Sequence, residues 1–363
     1  MPKISIIIPV YNAEGFIDET IRSLLAQTLA DCEYIFVNDG SLDNSLQLLE
    51  AYAQKDLRIR VVDQVNRGIS MTRNAGVAIA RGEYIGFMDN DDYVKPDMYE
   101  VLYNLAIAND LDIVISKTIL GRDGKYIIKD SIFPPDMVYD SPFIQQNIIP
   151  SLLKSEDLFA VWNKLYKRSF IEEHAVRFPN NRDIEEDSMF NFKAFNQAAK
   201  VIFTNYSGYY YRDVVINESK KIIERDYFSR AVERYLFDYK KELGLVTNDK
   251  DVARLTAIRF IHRVFYLIFK CALDKQLSKK VRYRYIKKMV TSPAVREVTR
   301  VYSKGTLEVK GYFEQVIFHI IQKQSFVKLA IAVRALQLLY IPQLSELLRV
   351  INKTKTGKQN NAA

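Results

Sequence analysis

Residues 83–92 read EYIGFMDNDD, a short apolar run that ends in a knot of acid. The run 83–88 is too short and too rich in aromatic and branched residues for a helix, and predicts a buried β-strand. Asp89, Asp91 and Asp92 put three carboxylates within four residues, which repel one another unless solvent or a cation relieves them. Oxygen donors of this kind suit Mg2+ or Mn2+, which take one or two protein carboxylates together with substrate phosphate oxygens. A solvated acidic turn is the alternative.

Moving toward the N-terminus, residues 4–10 (ISIIIPV), 33–37 (EYIFV) and 58–62 (RIRVV) predict three more buried strands. Amphipathic helices are expected over 14–29, 43–54 and 70–80. Toward the C-terminus, a helix over 97–109, a strand over 111–116, a helix over 183–199 and a strand over 201–212 complete the pattern. The stretch 121–142, with Gly121, Gly124, Pro134, Pro135 and Pro142, is expected to be loop. Strands alternating with helices predict an α/β fold with a doubly wound, mixed and mainly parallel sheet. Ligands bind such sheets beyond the carboxyl ends of the strands. Tyr11–Glu14, Asn38–Ser41 and Asp89–Asp92 each follow a predicted strand, so all three clusters converge on one edge.

Four ordered motifs within the first 92 residues carry a resemblance. They are Pro9-Val10-Tyr11-Asn12; Asn38-Asp39-Gly40-Ser41 with Asp43; Asn66-Arg67-Gly68 followed by Thr72-Arg73-Asn74-Ala75-Gly76; and Gly82-Glu83-Tyr84-Ile85 leading into Asp89–Asp92. Trp162-Asn163-Lys164-Leu165-Tyr166 and Glu185-Glu186-Asp187-Ser188-Met189-Phe190 extend it. Together they resemble the family 2 glycosyltransferases with the GT-A fold, of the bacterial cell-surface polysaccharide type, over residues 1–215.

The resemblance implies roles. Pro9, Tyr11, Asp39 and Arg73 would line a nucleoside pocket, with Asn66 and Asp92 among the nucleotide-sugar contacts. Asp39 would accept a hydrogen bond from uracil N3–H, as an acceptor-only carboxylate can. Asn38 stands where many members carry Asp. Asp89 would meet the ribose or donor sugar and, with Asp91, the metal (Mn2+ or Mg2+). Asp187 would be the base that takes the acceptor hydroxyl proton, with Glu186 beside it as an acceptor or donor contact. Asp183 and Glu185 crowd the same helix start, where acidic residues also match the helix dipole. Trp162, the only tryptophan, and Lys164 are expected to meet the acceptor, core packing being the alternative for Trp162. Arg212 meets either diphosphate oxygens or a surface ion pair.

Charge divides the chain. Residues 1–214 hold 22 Lys and Arg against 31 Asp and Glu, a net charge of −9, while residues 215–363 hold 30 against 13, a net of +17. Strand signals fade after about 215, and helices are expected over 223–243, 251–273, 276–289 and 307–340. Two domains follow: 1–215, catalytic, and 216–363, basic and all-helical, with the boundary near 215–222. Residues 259–273 and 325–340 are apolar helices broken by Arg259, His262, Arg263, Lys270, Lys328 and Arg334. Each either forms a bundle core or lies in a membrane interface. The basic surplus favours an anionic membrane as partner. No zinc-finger spacing or common RNA-binding signature is present, so nucleic acid is not expected. Two cysteines, no signal-type leader and no long uncharged apolar stretch point to a cytoplasmic protein, peripheral on the inner face of the cell membrane.

The expected function is therefore a metal-dependent, inverting glycosyltransferase. It would move sugar from a nucleotide-sugar, a UDP-sugar by the resemblance, to a glycan or lipid-linked saccharide in cell-surface polysaccharide synthesis. A non-catalytic nucleotide-sugar or glycan-binding protein on the same fold is the alternative. A nucleotidyltransferase is disfavoured, because residues 9–15 (PVYNAEG) carry no basic residue for a phosphate loop.

Overall fold

The computed structural model describes residues 1–122, 125–180, 185–212, 222–274 and 277–323, and beyond them residues 328, 329, 331, 332 and 335. The chain forms two compact units, one of residues 1–215 with 239–247, the other of 216–238 with 248–363. The boundary expected at 215–222 falls largely on residues 213–221, outside the described residues. So do Asp183 and most of the expected 325–340 helix.

The first unit is a mixed ten-stranded sheet. β1 (Ile4–Val10), β2 (Cys32–Asp39), β3 (Ile59–Gln64) and β4 (Tyr84–Phe87) lie in the order β3-β2-β1-β4 and are parallel throughout. The order then continues through β9 (Lys164–Lys167), β6 (Ile113–Arg122), β10 (Lys200–Tyr211) and β5 (Tyr93–Val94). β9 runs antiparallel to both neighbours, while β6 and β10 are parallel. β7 (Lys125–Lys129) pairs with β6 and β8 (Met137–Asp140) with β10. These two strands occupy the stretch expected to be loop. All five β7 residues are exposed, so no alternation marks the strand in sequence; its pairing with β6 makes it one.

Helices α1 (Ile17–Leu25), α2 (Ser45–Ala53), α3 (Ile69–Ile79) and α4 (Met98–Asn109) follow the strands in alternation. Every residue of β1 and β2 is buried, as a strand covered on both faces must be. Gly76 lets α3 lie close on β1, since a Cβ there would come within 2.4 Å of the Ile7 side chain. A short helical run, α5 (Ser141–Phe143), a π-turn (Ile144–Ile148) and α6 (Ile149–Lys154), precedes β9; α7 (Arg168–Glu173) follows it, and α8 (Glu186–Gln197) leads into β10.

The helix expected over 223–243 is two helices. α9 (Tyr227–Tyr235) belongs to the second unit, and α10 (Tyr239–Leu243) to the first. There Tyr239 packs on Phe192 at 5.2 Å, and the Leu243 carbonyl accepts from Asn196 Nδ2 at 3.0 Å.

The second unit adds α11 (Asp249–Leu273), α12 (Lys279–Thr291), α13 (Pro293–Val301) and α14 (Tyr312–Lys323). The side chains of Asn248 and Ser278 cap α11 and α12 by accepting from Asp251 N and Val281 N. Residues 259–273 are bundle core, because α11 buries Leu255–Ile261, Val264, Phe265, Leu267, Ile268, Cys271 and Ala272. Arg259 is buried with them, and Arg263 and Lys270 lie over the Tyr266 ring at 5.4 and 5.5 Å. Among the described residues no helix is long and apolar enough to cross a membrane.

Candidate active site

The loops after β1, β2, β3 and β4 open at the carboxyl ends of the parallel strands; hydrogen bonds tie the first to the second, the second to the third, and the fourth to the end of β1. Asn12, in a left-handed conformation (φ 50°), accepts from Leu42 N at 2.8 Å and donates its own N–H to Ser41 Oγ at 3.0 Å. Glu14 N donates to Asp43 Oδ2 at 3.0 Å. Asn38 donates to Asp63 Oδ1 at 2.6 Å, so the amide, where many members of the resembled family carry Asp, serves as a donor between two strands. Gly40 takes φ 70° and lies under the third loop, where a Cβ would meet Asn66 N at 2.9 Å.

Asp39 binds that third loop. Its Oδ1 accepts from Arg67 N at 2.8 Å and Gln64 Nε2 at 2.7 Å, and its Oδ2 from Gly68 N at 2.9 Å. The buried Asp39 carboxylate thus shapes the loop, and exposed Asn66 and Tyr11 stand at its rim. Pro9 is buried, and its carbonyl accepts from Asn90 Nδ2 at 2.9 Å.

Arg73 is the centre of the arrangement. It rises from α3, is 2% exposed, and binds three carboxylates from two distant segments. Its Nη2 meets Asp89 Oδ1 at 3.0 Å; its Nη1 meets Glu186 Oε1 at 2.9 Å and Asp187 Oδ1 at 2.5 Å. Its guanidinium lies 5.3 Å from the Phe178 ring. Asn74, next in the chain, exchanges two hydrogen bonds with the Phe178 backbone, at 2.9 and 3.0 Å, and anchors the segment leading toward α8. The resemblance implied a pocket-lining role for Arg73; in this structure its guanidinium holds Asp89, Glu186 and Asp187 together.

Electrostatics follow from this packing. Burial opposes the charge on Arg73, but Asp187, Asp89 and Glu186 outweigh it and raise its pKa. Burial raises Asp187 as well, against the pull of Arg73. Burial and then Asp187 push Glu186 up to about 7. One guanidinium faces three carboxylates, with Asp91 half-buried on the same loop, so negative charge is in excess.

Several expected contacts have other employment. Asp92 is 1% exposed and accepts from Tyr209 Oη at 2.7 Å and Arg212 N at 2.8 Å. It fastens the end of β10 to the acidic loop. Burial and the nearby Asp89 push it up to about 8. Arg212 forms an ion pair with Glu19 at 2.6 Å, as one of its two readings expects. Lys164 is 2% exposed and donates to the carbonyls of Leu158 and Ala160 and to Asn163 Oδ1. Its amine holds the 158–163 segment from inside. Burial pushes it down to about 7. Trp162 is half-buried; it stacks on Tyr209 at 4.5 Å and approaches Tyr211 at 5.6 Å.

Tyr209, Asn74, Phe178 and Gln64 escaped the sequence reading as positioning residues. Residues 209–211 are three consecutive tyrosines, but the role of Tyr209 depends on the strand pairing that brings it to Asp92.

Among the described residues no three His, Cys, Asp or Glu side chains stand ready to enclose a metal by themselves. The donor set nevertheless fits a hard cation completed by substrate oxygens, for Asp89 and Asp91 lie half-buried at a strand end with excess negative charge.

Residues 5–175 match the model of glycosyl transferase family 2. The uncharacterized glycosyltransferase EpsJ of Bacillus subtilis (strain 168) is 39% identical over 216 residues, 59% of this chain and 62% of that protein, so the match spans less than two thirds of EpsJ. Glycosyltransferase GlyG of Streptococcus pneumoniae serotype 4 is 31% identical over 219 residues, 58% of this chain and 70% of GlyG. The crystal structure of S. aureus TarS 1-349 in complex with UDP-GlcNAc superposes with a TM-score of 0.59 at 21% identity, covering 93% of this chain and 91% of that one. The TarS likeness is one of fold, and it extends the GT-A architecture to this sheet. Sequence and fold agree that the chain belongs to glycosyl transferase family 2.

Proposed function

We propose that the first unit transfers a sugar from a UDP-sugar, with inversion at the anomeric carbon, to a hydroxyl of a glycan or lipid-linked saccharide. The observation that carries this reading is the buried Arg73, which gathers Asp89, Glu186 and Asp187 at the strand ends. TarS, solved with UDP-GlcNAc, supports the choice of donor. Asp187 takes the acceptor hydroxyl proton while that oxygen attacks the anomeric carbon, and the bond to the diphosphate breaks on the opposite face. Arg73 fixes the Asp187 carboxylate in one orientation. Glu186 binds sugar hydroxyls beside it. Tyr11 and Asn66 flank the nucleoside, on a loop that Asp39 keeps in shape. Asp91, with Asp89, would hold Mn2+ or Mg2+, whose charge offsets that of the departing diphosphate.

The test is cleavage of a panel of UDP-sugars by the full chain, with and without EDTA. Metal-dependent cleavage that Asp91→Asn abolishes supports the reading. Full activity in EDTA removes the metal from it. Nucleotide-sugar binding without turnover favours the non-catalytic alternative.

We propose further that the second unit docks on an anionic membrane from the cytoplasmic side. Since α11 is bundle core, the surface for this is α12, which exposes Lys279, Lys280, Arg284 and Lys287, and also Lys288, which pairs with Asp226 at 2.5 Å. Clusters of four to eight basic residues on an amphipathic helix are attracted to anionic lipid. Flotation with anionic vesicles, lost in high salt, is the expected result.

A further inference from the structure

A cavity of about 240 Å3 opens in the first unit, lined by β6, β10 and the segment before β9. Trp162 and Tyr211 form one wall, Ile115 and Phe203 from β6 and β10 another, and Leu158 and Ala160 a third. None of the motifs at the ends of β1–β4 contributes to it.

One segment of chain links the cavity to the helix of the proposed base. Leu158, Ala160 and Trp162 line the cavity, and α8, which carries Asp187, is tied to the same segment by Asn191 Nδ2, which donates to the Phe159 carbonyl at 2.7 Å. The Lys164 amine, bonded to the Leu158 and Ala160 carbonyls, holds the segment in place. Trp162 stacks on Tyr209, whose hydroxyl binds Asp92 and accepts from Asp89 N at 3.2 Å. The cavity is thereby built onto the acidic centre.

Its chemistry is that of a sugar site. An indole face binds the C–H face of a pyranose, and polar groups around the rim bind hydroxyls. Here the rim holds two ion pairs, Lys117 with Asp130 and Lys129 with Asp157, each at 2.9 Å, and Glu156 adds a further carboxylate. Each lysine is matched by an acid, so the cavity has no cationic surplus to attract phosphate. Its volume lies below the roughly 300–1,000 Å3 of pockets that enclose drug-sized ligands, which limits it to about one ring.

We propose that this cavity is the subsite for the neutral sugar ring that receives the transferred glycosyl group. The proposal rests on the transfer reading above, and names the substrate class of its acceptor side.

Because Trp162 is the only tryptophan, its emission reports on this cavity. The experiment titrates the full chain with the methyl glycosides of glucose, galactose and N-acetylglucosamine, and separately with UDP. At least one glycoside is expected to change the emission saturably. Lys117→Met and Asp157→Ala, which each remove one charged hydrogen-bonding group, are expected to weaken its apparent affinity about 10-fold. No saturable response to any of the three, or a response unaltered in both variants, overturns the proposal. So does a change produced by UDP alone that persists in both variants, since the aromatic wall would then belong to the donor. Cleavage of UDP-sugars by the wild-type chain separates the two readings. Cleavage without a glycoside response sinks the subsite alone; a glycoside response without any cleavage sinks the transfer reading and leaves the subsite standing.

Discussion

In the first unit the decisive charges are buried against one another; in the second they stand in solvent along a helix. Arg73 is 2% exposed and holds three carboxylates, whereas α12 exposes five cations, Lys288 among them paired with Asp226, and buries one, Arg282, with Tyr285, Ile286, Met289 and Val290. The same side-chain types therefore do opposite work. Buried charges fix geometry, because each must be paired at short range to repay its desolvation. Exposed charges fix no geometry, but together they set a field felt over about a Debye length. Net charge alone, −9 against +17, does not distinguish these uses. Depth of burial does.

The comparison breaks most severely at Arg73. Arg73→Gln removes the single cation among three partly buried carboxylates, and is expected to destabilise the first unit by about 3–5 kcal/mol. Denaturant unfolding of the full chain measures this. A loss below 1 kcal/mol would mean that the pairs behave as surface pairs, and that the contrast between the units is false.

Next comes the base. Asp187→Asn should retain UDP binding and lose transfer by about 10² or more. If it keeps its rate while Glu186→Gln loses it, the two roles are exchanged.

Lys164 tests burial through pH. Its folded pKa, about 7, lies below its ordinary 10.5. Between those values the unfolded chain holds a proton that the folded chain has shed, so stability rises with pH across that window. The slope contributed by this one group is at most about 1.4 kcal/mol per pH unit. Unfolding free energies at pH 7.5 and 9.5 should show more gain in the wild type than in Lys164→Met. Equal gains would show that the carbonyls around the amine keep it charged.

The smallest effect belongs to the basic unit. Lys280→Gln and Arg284→Gln should each weaken binding to anionic vesicles by about 1 kcal/mol, roughly fivefold, and the difference should vanish in high salt. Equal binding to neutral vesicles would move α12 out of the account.

The strands β1, β2, β3 and β4 were legible, because each is a run of neighbours with one local preference, closed by a turn. The loops after them were legible as well, since turn residues such as Gly40 and Asn12 declare themselves locally. β7 and β8 were not, having no alternation of their own and existing through pairing with β6 and β10. The break between α9 and α10 was also hidden, since both halves are helical and only Tyr239 packing on Phe192 assigns the second to the sheet unit.

At the site, the sequence determined which residues arrive: Asp39 and Asp89 at strand ends, Arg73 on a helix, Glu186 and Asp187 at the start of another. Only the tertiary structure decided what each one meets. Arg73 reaches Glu186 and Asp187 across 113 and 114 residues of chain, and Tyr209 reaches Asp92 across 117. It also turned Lys164 inward, spent Arg212 on Glu19, and opened a cavity beneath Trp162. Local periodicity and turn chemistry act between neighbours along the chain, so they can be read there. The partner of a buried charge is set by which surfaces pack together, and that depends on the whole fold.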